Sequence, residues 1–181
     1  MRISVVTSKT MIAFWLTPAA GAREFFEGVI NQLGERYDAP RFEPHLTLCG
    51  GNLPAERAPE ILRNLSIREE IELEVQGVEF SDKYTKTLFL QFASTPQLEA
   101  LSNELKKAVG SDYELNPHLS LIYKEMPREQ KAEAARAISL PFSTVQFETV
   151  KAIETPTPIT SAADIAVWRT LASRRLDSAP E

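Results

Sequence analysis

The chain has 181 residues, 43% of them apolar and 25% charged, with a net charge of −5 and a single cysteine, Cys49. That composition suits one compact domain with an ordinary core and excludes a disordered chain and an internal disulfide framework. The acidic balance argues against a long nucleic-acid partner, which would be gripped through many phosphates by a continuous basic stripe.

The start, MRISVVTSKTMIAFWLTP, lacks the layout of a secretory leader, and residues 11–16 read as a strand. No apolar run reaches the length of a membrane span, so a reduced, cytoplasmic location without a membrane partner is expected. From 21 to 37, Phe25, Phe26, Val29, Ile30 and Leu33 recur at helical spacing. A short strand follows over 45–49, and Pro54 opens a second helix carrying Ile61, Leu62 and Leu65. Residues 70–80 alternate as a strand and then break at Gly77, the mark of a bulge.

The pattern then restarts. Residues 87–93 form a strand; Thr95-Pro96 starts a helix whose apolar side carries Leu98, Leu101, Leu105 and Val109. A strand over 118–122, a helix opened by Pro127 and a long strand over 142–153 follow. TPTPITSA reads as a loop, 164–171 as a last strand and 173–181 as a frayed tail. The order β-α-β-α-β thus occurs twice, over about 11–80 and 86–153. The fold expected is α+β: one bilobal domain over 1–181, two pseudo-symmetric β-α-β-α-β lobes with mostly antiparallel sheets flanking a central cleft.

Only two histidines are present, and each begins the same phrase: HLTL from His45 and HLSL from His118. Their separation, 118 − 45 = 73, equals that of Pro54 and Pro127, and Thr47 and Ser120 match at the same step. Given ordinary apolar usage, roughly one His in forty would be followed by such a triplet by chance, so two of two is on the order of one in a thousand. On a strand, residues two apart share a face. His45 with Thr47, and His118 with Ser120, therefore each present an imidazole and a hydroxyl, while the leucines between them are buried. A pseudo-two-fold axis would set the two pairs across one cleft.

Paired imidazoles with ordinary pKa near 6.5 suit general acid–base work at neutral pH. One ring takes a proton from an attacking oxygen and the other gives one to a leaving oxygen. Thr47 and Ser120 suit donation to the non-bridging oxygens of a phosphate. There is no HExxH, CxxC, P-loop or GxGxxG, so neither a metal nor a cofactor is expected. Trp15 and Tyr84 are candidates for stacking on a base or ribose. Lys83, Lys86 and Arg41 read as surface charge, and Trp168 as core. Cys49 falls on the His45 face by parity but reads as a packing residue.

HLTL and HLSL, at this spacing, resemble the signature of the 2H phosphoesterase superfamily, named for two H-x-[ST]-x motifs on equivalent strands of two lobes. HLSLIY, FEPHLTLCGG and FWLTP are similar to its cyclic phosphodiesterase branch from plants and yeasts. The resemblance implies metal-independent hydrolysis of small nucleotide cyclic phosphates: ADP-ribose 1″,2″-cyclic phosphate, nucleoside 2′,3′-cyclic phosphates opened to 2′-phosphates, or both. A monomer is expected. It implies His45 and His118 as the acid–base pair, Thr47 and Ser120 as phosphate donors, and Tyr123 as a substrate contact. His118 is preferred as the base activating water and His45 as the acid. By bare parity Tyr123 points away from His118, so the strand must end or twist before it. Two alternatives stand: processing of 2′,3′-cyclic phosphate ends of RNA, and a nucleotide-binding module without turnover.

Overall fold

A computed structural model describes residues 9–178. The start over 1–8 and the last three residues of the expected tail, 179–181, lie outside them. The elements run β1 (Lys9–Pro18), α1 (Ala20–Tyr37), β2 (Leu46–Gly51), α2 (Ala58–Arg63), β3 (Ile71–Phe80), β4 (Leu88–Phe92), α3 (Pro96–Val109), β5 (His118–Ile122), α4 (Arg128–Ala137), β6 (Thr144–Thr157), α5 (Ala162–Ala166) and β7 (Arg169–Arg175). A 3-10 turn over Ala55–Arg57 leads into α2, and another over Tyr84–Lys86 precedes β4.

Every pairing between these strands is antiparallel, in the order β1-β2-β5-β4-β3-β6-β7, and β1 also pairs with β6. Six strands thus close a ring, and β7 extends it from β6. The ring maps onto itself when one repeat replaces the other. β1–β2 answers to β4–β5, and β3–β4 to β6–β1; β2–β5 and β3–β6 lie on the axis. The register keeps the step read from the motifs. Leu46 pairs with its own counterpart, Leu119. On β3–β6, Ile71 pairs with Phe147 and Glu74 with Thr144, two pairs that exchange under the same step.

One face of this sheet is packed with helices. Phe26, Ile30 and Leu33 of α1 and Leu98, Leu101 and Leu105 of α3 join Leu46, Leu48, Leu119 and Leu121 in the main core. Each such side chain contributes about 1.5–3 kcal/mol by leaving water. Helix α3 is bounded by its sequence: the Thr95 hydroxyl accepts from Leu98 N–H at 3.2 Å, Pro96 takes the first turn, and Gly110 ends the helix at φ 67°. Helix α1 ends at Asp38 in the left-handed region, where Lys124 Nζ donates to the carbonyls of Tyr37 and Asp38 (3.0 Å to the latter). The lysine closing PHLSLIYK therefore ties the second motif to the helix of the first repeat. Gly77 sits at a register shift between β3 and β4 with φ 147°, as its break in the alternation predicts.

The C-terminal elements differ from expectation. Residues 162–166 are helical and the last strand is Arg169–Arg175, not 164–171. The cause is local. Asp164 Oδ2 accepts from the backbone N–H of Thr160 and Ser161, both at 2.9 Å, closing a capping box that outweighs the apolar alternation. The first part of TPTPITSA is not a loop, because β6 runs to Thr157. Pro156 falls past Glu154, where pairing with β7 ends, so its missing N–H is tolerated. The expected fray at 173–178 is also not seen. Ser173 to Arg175 are in β7, Leu176 is buried, and Asp177 bridges to Glu69.

Candidate active site

The sheet face away from the helices bears a cleft of about 300 Å³, at the small end of ligand pockets, which run roughly 300–1,000 Å³. His45, Thr47, His118, Ser120, Tyr123 and Trp15 all line it. The two tetrapeptides that the sequence set apart thus meet around one space. Tyr84 does not line it. Its ring stands 6.3 Å from that of Tyr123 and borders a separate small cavity with Thr87 and Lys131.

The way each strand delivers its residues depends on a matched pair of irregularities. The β1–β2 ladder shifts register so that Phe14 faces Cys49 and Trp15 faces Thr47, leaving Leu48 as an extra residue. The β4–β5 ladder shifts so that Leu88 faces Ile122 and Phe89 faces Ser120, leaving Leu121 extra. Leu48 and Leu121 are again one repeat step apart. A bulge inserts one residue and reverses the parity beyond it. Leu48 and Cys49 both enter the main core, as do Leu121 and Ile122. Cys49 therefore packs in the core rather than facing the cleft, and burial pushes its thiol up to about 12. The same reversal returns Tyr123 to the cleft, which resolves its parity. Its counterpart in the first repeat is Gly50, where a Cβ would come within 2.0 Å of Met11 Cε.

Each imidazole is fixed in the same manner. His45 Nδ1 donates to the Glu43 carbonyl and His118 Nδ1 to the Asn116 carbonyl, each at 2.7 Å. A carbonyl has no proton to give, so Nδ1 carries the hydrogen and Nε2 is the free nitrogen in both rings. The surroundings are otherwise unequal. His45 is 6% exposed and stacks on Trp15, with centroids 3.6 Å apart and planes 10° apart. Trp168 stands edge-on to it at 5.7 Å, and the Tyr123 hydroxyl lies 3.5 Å from its Nε2. His118 is half-buried beside Phe89, whose ring carries Lys86 Nζ 4.2 Å from its centroid.

Burial lowers the pKa of His45 to about 4; the Glu43 carbonyl opposes the shift, and the nearby charges of His118 and Lys151 add to it. Burial lowers His118 as well, against the Asn116 carbonyl and with Lys86 and Lys83 adding. Burial raises Tyr123 well above its usual range, so its hydroxyl keeps its proton. The two hydroxyls of the motifs also differ. Ser120 Oγ donates to the Thr85 carbonyl at 2.8 Å, whereas Thr47 makes no side-chain hydrogen bond among the described residues.

The family model described as the 2′-5′ RNA ligase superfamily matches residues 14–155. The chain belongs to that superfamily. This agrees with the 2H phosphoesterase resemblance carried by HLTL and HLSL, and both motifs lie inside the matched stretch. The 2′,3′-cyclic-nucleotide 3′-phosphodiesterase of Kluyveromyces lactis is 27% identical over 144 residues, covering 66% of this chain and 67% of that one. The cyclic phosphodiesterase of Arabidopsis thaliana is 25% identical over 132 residues, covering 70% and 72%. Among solved structures, a phosphoesterase superposes with a TM-score of 0.59 at 14% identity, covering 93% of this chain and 99% of that one. E. coli LigT in its apo form superposes at 0.57 and 15%, covering 94% and 99%. These two show the fold.

Trp168 was expected in the core and is instead half-buried in the cleft wall, in a second cluster with Ala13, Trp15 and Ile153. It lies beyond the matched stretch and outside both repeats, so no repeat signal points to it. Lys151, whose Nζ pairs with the Glu43 carboxylate beside His45, was also missed. Only the closure of β6 on β1, which sets Lys151 opposite Trp15, brings it near. Arg41 pairs with Glu35 at 2.9 Å and does not line the cleft. Among the described residues no cluster of three or more His, Cys, Asp or Glu could hold a metal, and no helix is long and apolar enough to cross a membrane.

Proposed function

We propose that this chain is a metal-independent cyclic phosphodiesterase that opens small nucleotide cyclic phosphates by two-histidine acid–base catalysis. The observation that carries this reading is the twin arrangement of His45 and His118: both line one cleft, and both have Nδ1 committed to a carbonyl and Nε2 free. The names of the yeast and plant relatives support the same reaction class. The substrates proposed are nucleoside 2′,3′-cyclic phosphates and ADP-ribose 1″,2″-cyclic phosphate. The proposed catalytic residues all come from one chain and line one cleft of about 300 Å³, which supports a small substrate and a monomer acting without long nucleic acid.

For a nucleoside 2′,3′-cyclic phosphate, His118, on the more open side, takes a proton from water as its oxygen bonds to phosphorus. The bond to the 3′ oxygen breaks, and that oxygen receives the proton held on His45 Nε2. The product is a 2′-phosphate, in keeping with the 3′-phosphodiesterase name of the K. lactis relative. The two rings end with their protonation exchanged and reset through solvent. Burial lowers His45 to about 4, so its role as the acid depends on the bound phosphate, helped by the parallel Trp15 face, to favour the charged form. Thr47 and Ser120 donate to the non-bridging oxygens, Ser120 by turning its proton away from Thr85. Tyr123, a neutral donor 3.5 Å from His45 Nε2, orients the group that this ring protonates.

A panel of cyclic mononucleotides, ADP-ribose cyclic phosphate and a cyclic-ended oligonucleotide, with products read by phosphorus NMR, tests the proposal. Turnover of the small substrates to 2′-phosphates is expected. Turnover of the oligonucleotide alone would transfer the assignment to RNA-end processing. Binding without turnover of any would leave a nucleotide-binding module.

A further inference from the structure

The carbonyls that lock the two histidines belong to Glu43 and Asn116, one repeat step apart, each the second residue before its histidine. Both lie in irregular segments between a helix and a strand, where nothing in the local ladder fixes a carbonyl's direction. In each case the side chain of that residue is pinned from a strand of the ring. Lys151 Nζ of β6 holds the Glu43 carboxylate. Gln91 Nε2 of β4 donates to Asn116 Oδ1 at 3.1 Å and to the Pro117 carbonyl at 2.8 Å.

The pinning residues sit beside the reacting groups. Lys151 is opposite Trp15, which carries the His45 ring on its face, and Gln91 is opposite His118 itself. They are not counterparts under the two-fold relation, since one is on β6 and the other on β4. The same outcome is reached once with an ion pair and once with an amide. The Lys151–Glu43 pair is half-buried, its side chains 21% and 30% exposed. It tethers the side chain of the residue whose carbonyl accepts from His45 Nδ1.

We propose that Lys151 and Gln91 are positioning residues, each orienting the backbone carbonyl that keeps the proton on Nδ1 of one histidine and leaves Nε2 free for chemistry. This rests on the phosphodiesterase reading for its effect on rate, but not for its effect on the rings. Without the anchor the carbonyl swings away, and a neutral imidazole is free to move its proton to Nε2, which then can no longer accept one.

The test uses the full chain with ¹⁵N-labelled histidine, which gives only two ring systems to assign. In two-bond ¹H–¹⁵N spectra at a pH where both rings are neutral, the unaltered protein shows protonated Nδ1 and bare Nε2 for both. Lys151→Met is expected to move only the His45 ring toward mixed tautomers, and Gln91→Met only the His118 ring. Each should lower kcat by on the order of 10- to 100-fold, with KM within about twofold. Lys151→Arg should restore both spectrum and rate. Glu43→Gln, a milder change, should shift the His45 ring in the same direction, so the test stands if Lys151→Met folds poorly. Unchanged ring spectra in the Met variants, or both rings shifting together in either one, would overturn the proposal. The spectra need no substrate. Locked rings without turnover would sink the phosphodiesterase reading and leave this one intact.

Discussion

Thr47 and Ser120 occupy equivalent places in the repeat, yet their replacement should have different consequences. Ser120 is buried and donates to the Thr85 carbonyl at 2.8 Å; Thr47 is half-buried and makes no such bond among the described residues. Ser120→Ala leaves a carbonyl without its partner, a loss of about 1–2 kcal/mol. For a chain of this length each kcal/mol lowers Tm by roughly 2–4 °C, so the expected fall is roughly 2–8 °C. Thr47→Val keeps the shape and breaks no bond within the fold, so its Tm should stay within about 1 °C. Both variants should lose a donor to the phosphate, reducing kcat by on the order of 10²–10³. Calorimetry with steady-state hydrolysis of a 2′,3′-cyclic mononucleotide measures the two effects separately. Equal melting shifts in the two variants would refute the hydrogen-bond assignment. Near-normal kcat in both would refute the donor role.

Acid conditions should act on both activity and stability. His45 has a folded pKa of about 4 against an ordinary 6.5, so between those values the unfolded chain binds the extra proton. Its contribution is therefore complete above about pH 6.5 and is lost as pH falls toward 4, as pH-dependent denaturant titration would reveal; stability flat across that window would contradict it. Because burial lowers both imidazoles, the kcat/KM profile should peak on the acid side of neutrality, with kcat displaced upward once phosphate is bound. A kcat/KM profile still rising above about pH 8 would rule this out. Tyr123→Phe should cut kcat by on the order of 10-fold with little change in Tm, since the ring and its packing on Phe42 remain. A chelator should leave the rate within about twofold; its loss would demand a metal in the mechanism.

Much of this was legible in the sequence because its periodicities are simple. The step of 73 residues predicted which strands correspond, and it reappears in the Leu46–Leu119 and β3–β6 registers. The alternation of HLTL and HLSL predicted which side chains share a space. The bulges were not legible, because Leu48-Cys49 and Leu121-Ile122 are apolar whichever way the ladder counts them. The placement of Tyr123 therefore needed the paired registers. At the C-terminus, a capping box on Asp164 outranked an apolar run that reads as strand. Trp168 reaches the cleft, and Lys151 the Glu43 carboxylate near His45, only through ring closure and β7, which are long-range pairings with no local signal.

The claim beneath all of this is that His45 and His118 work as one unit on one phosphate. Initial rates for His45→Ala, His118→Ala and the double variant test it most directly, on a cyclic mononucleotide at saturating concentration. The double variant should be no slower than the slower single variant, because either loss already breaks the proton relay. Losses that multiply in the double variant, or a single variant that retains normal turnover, would contradict it.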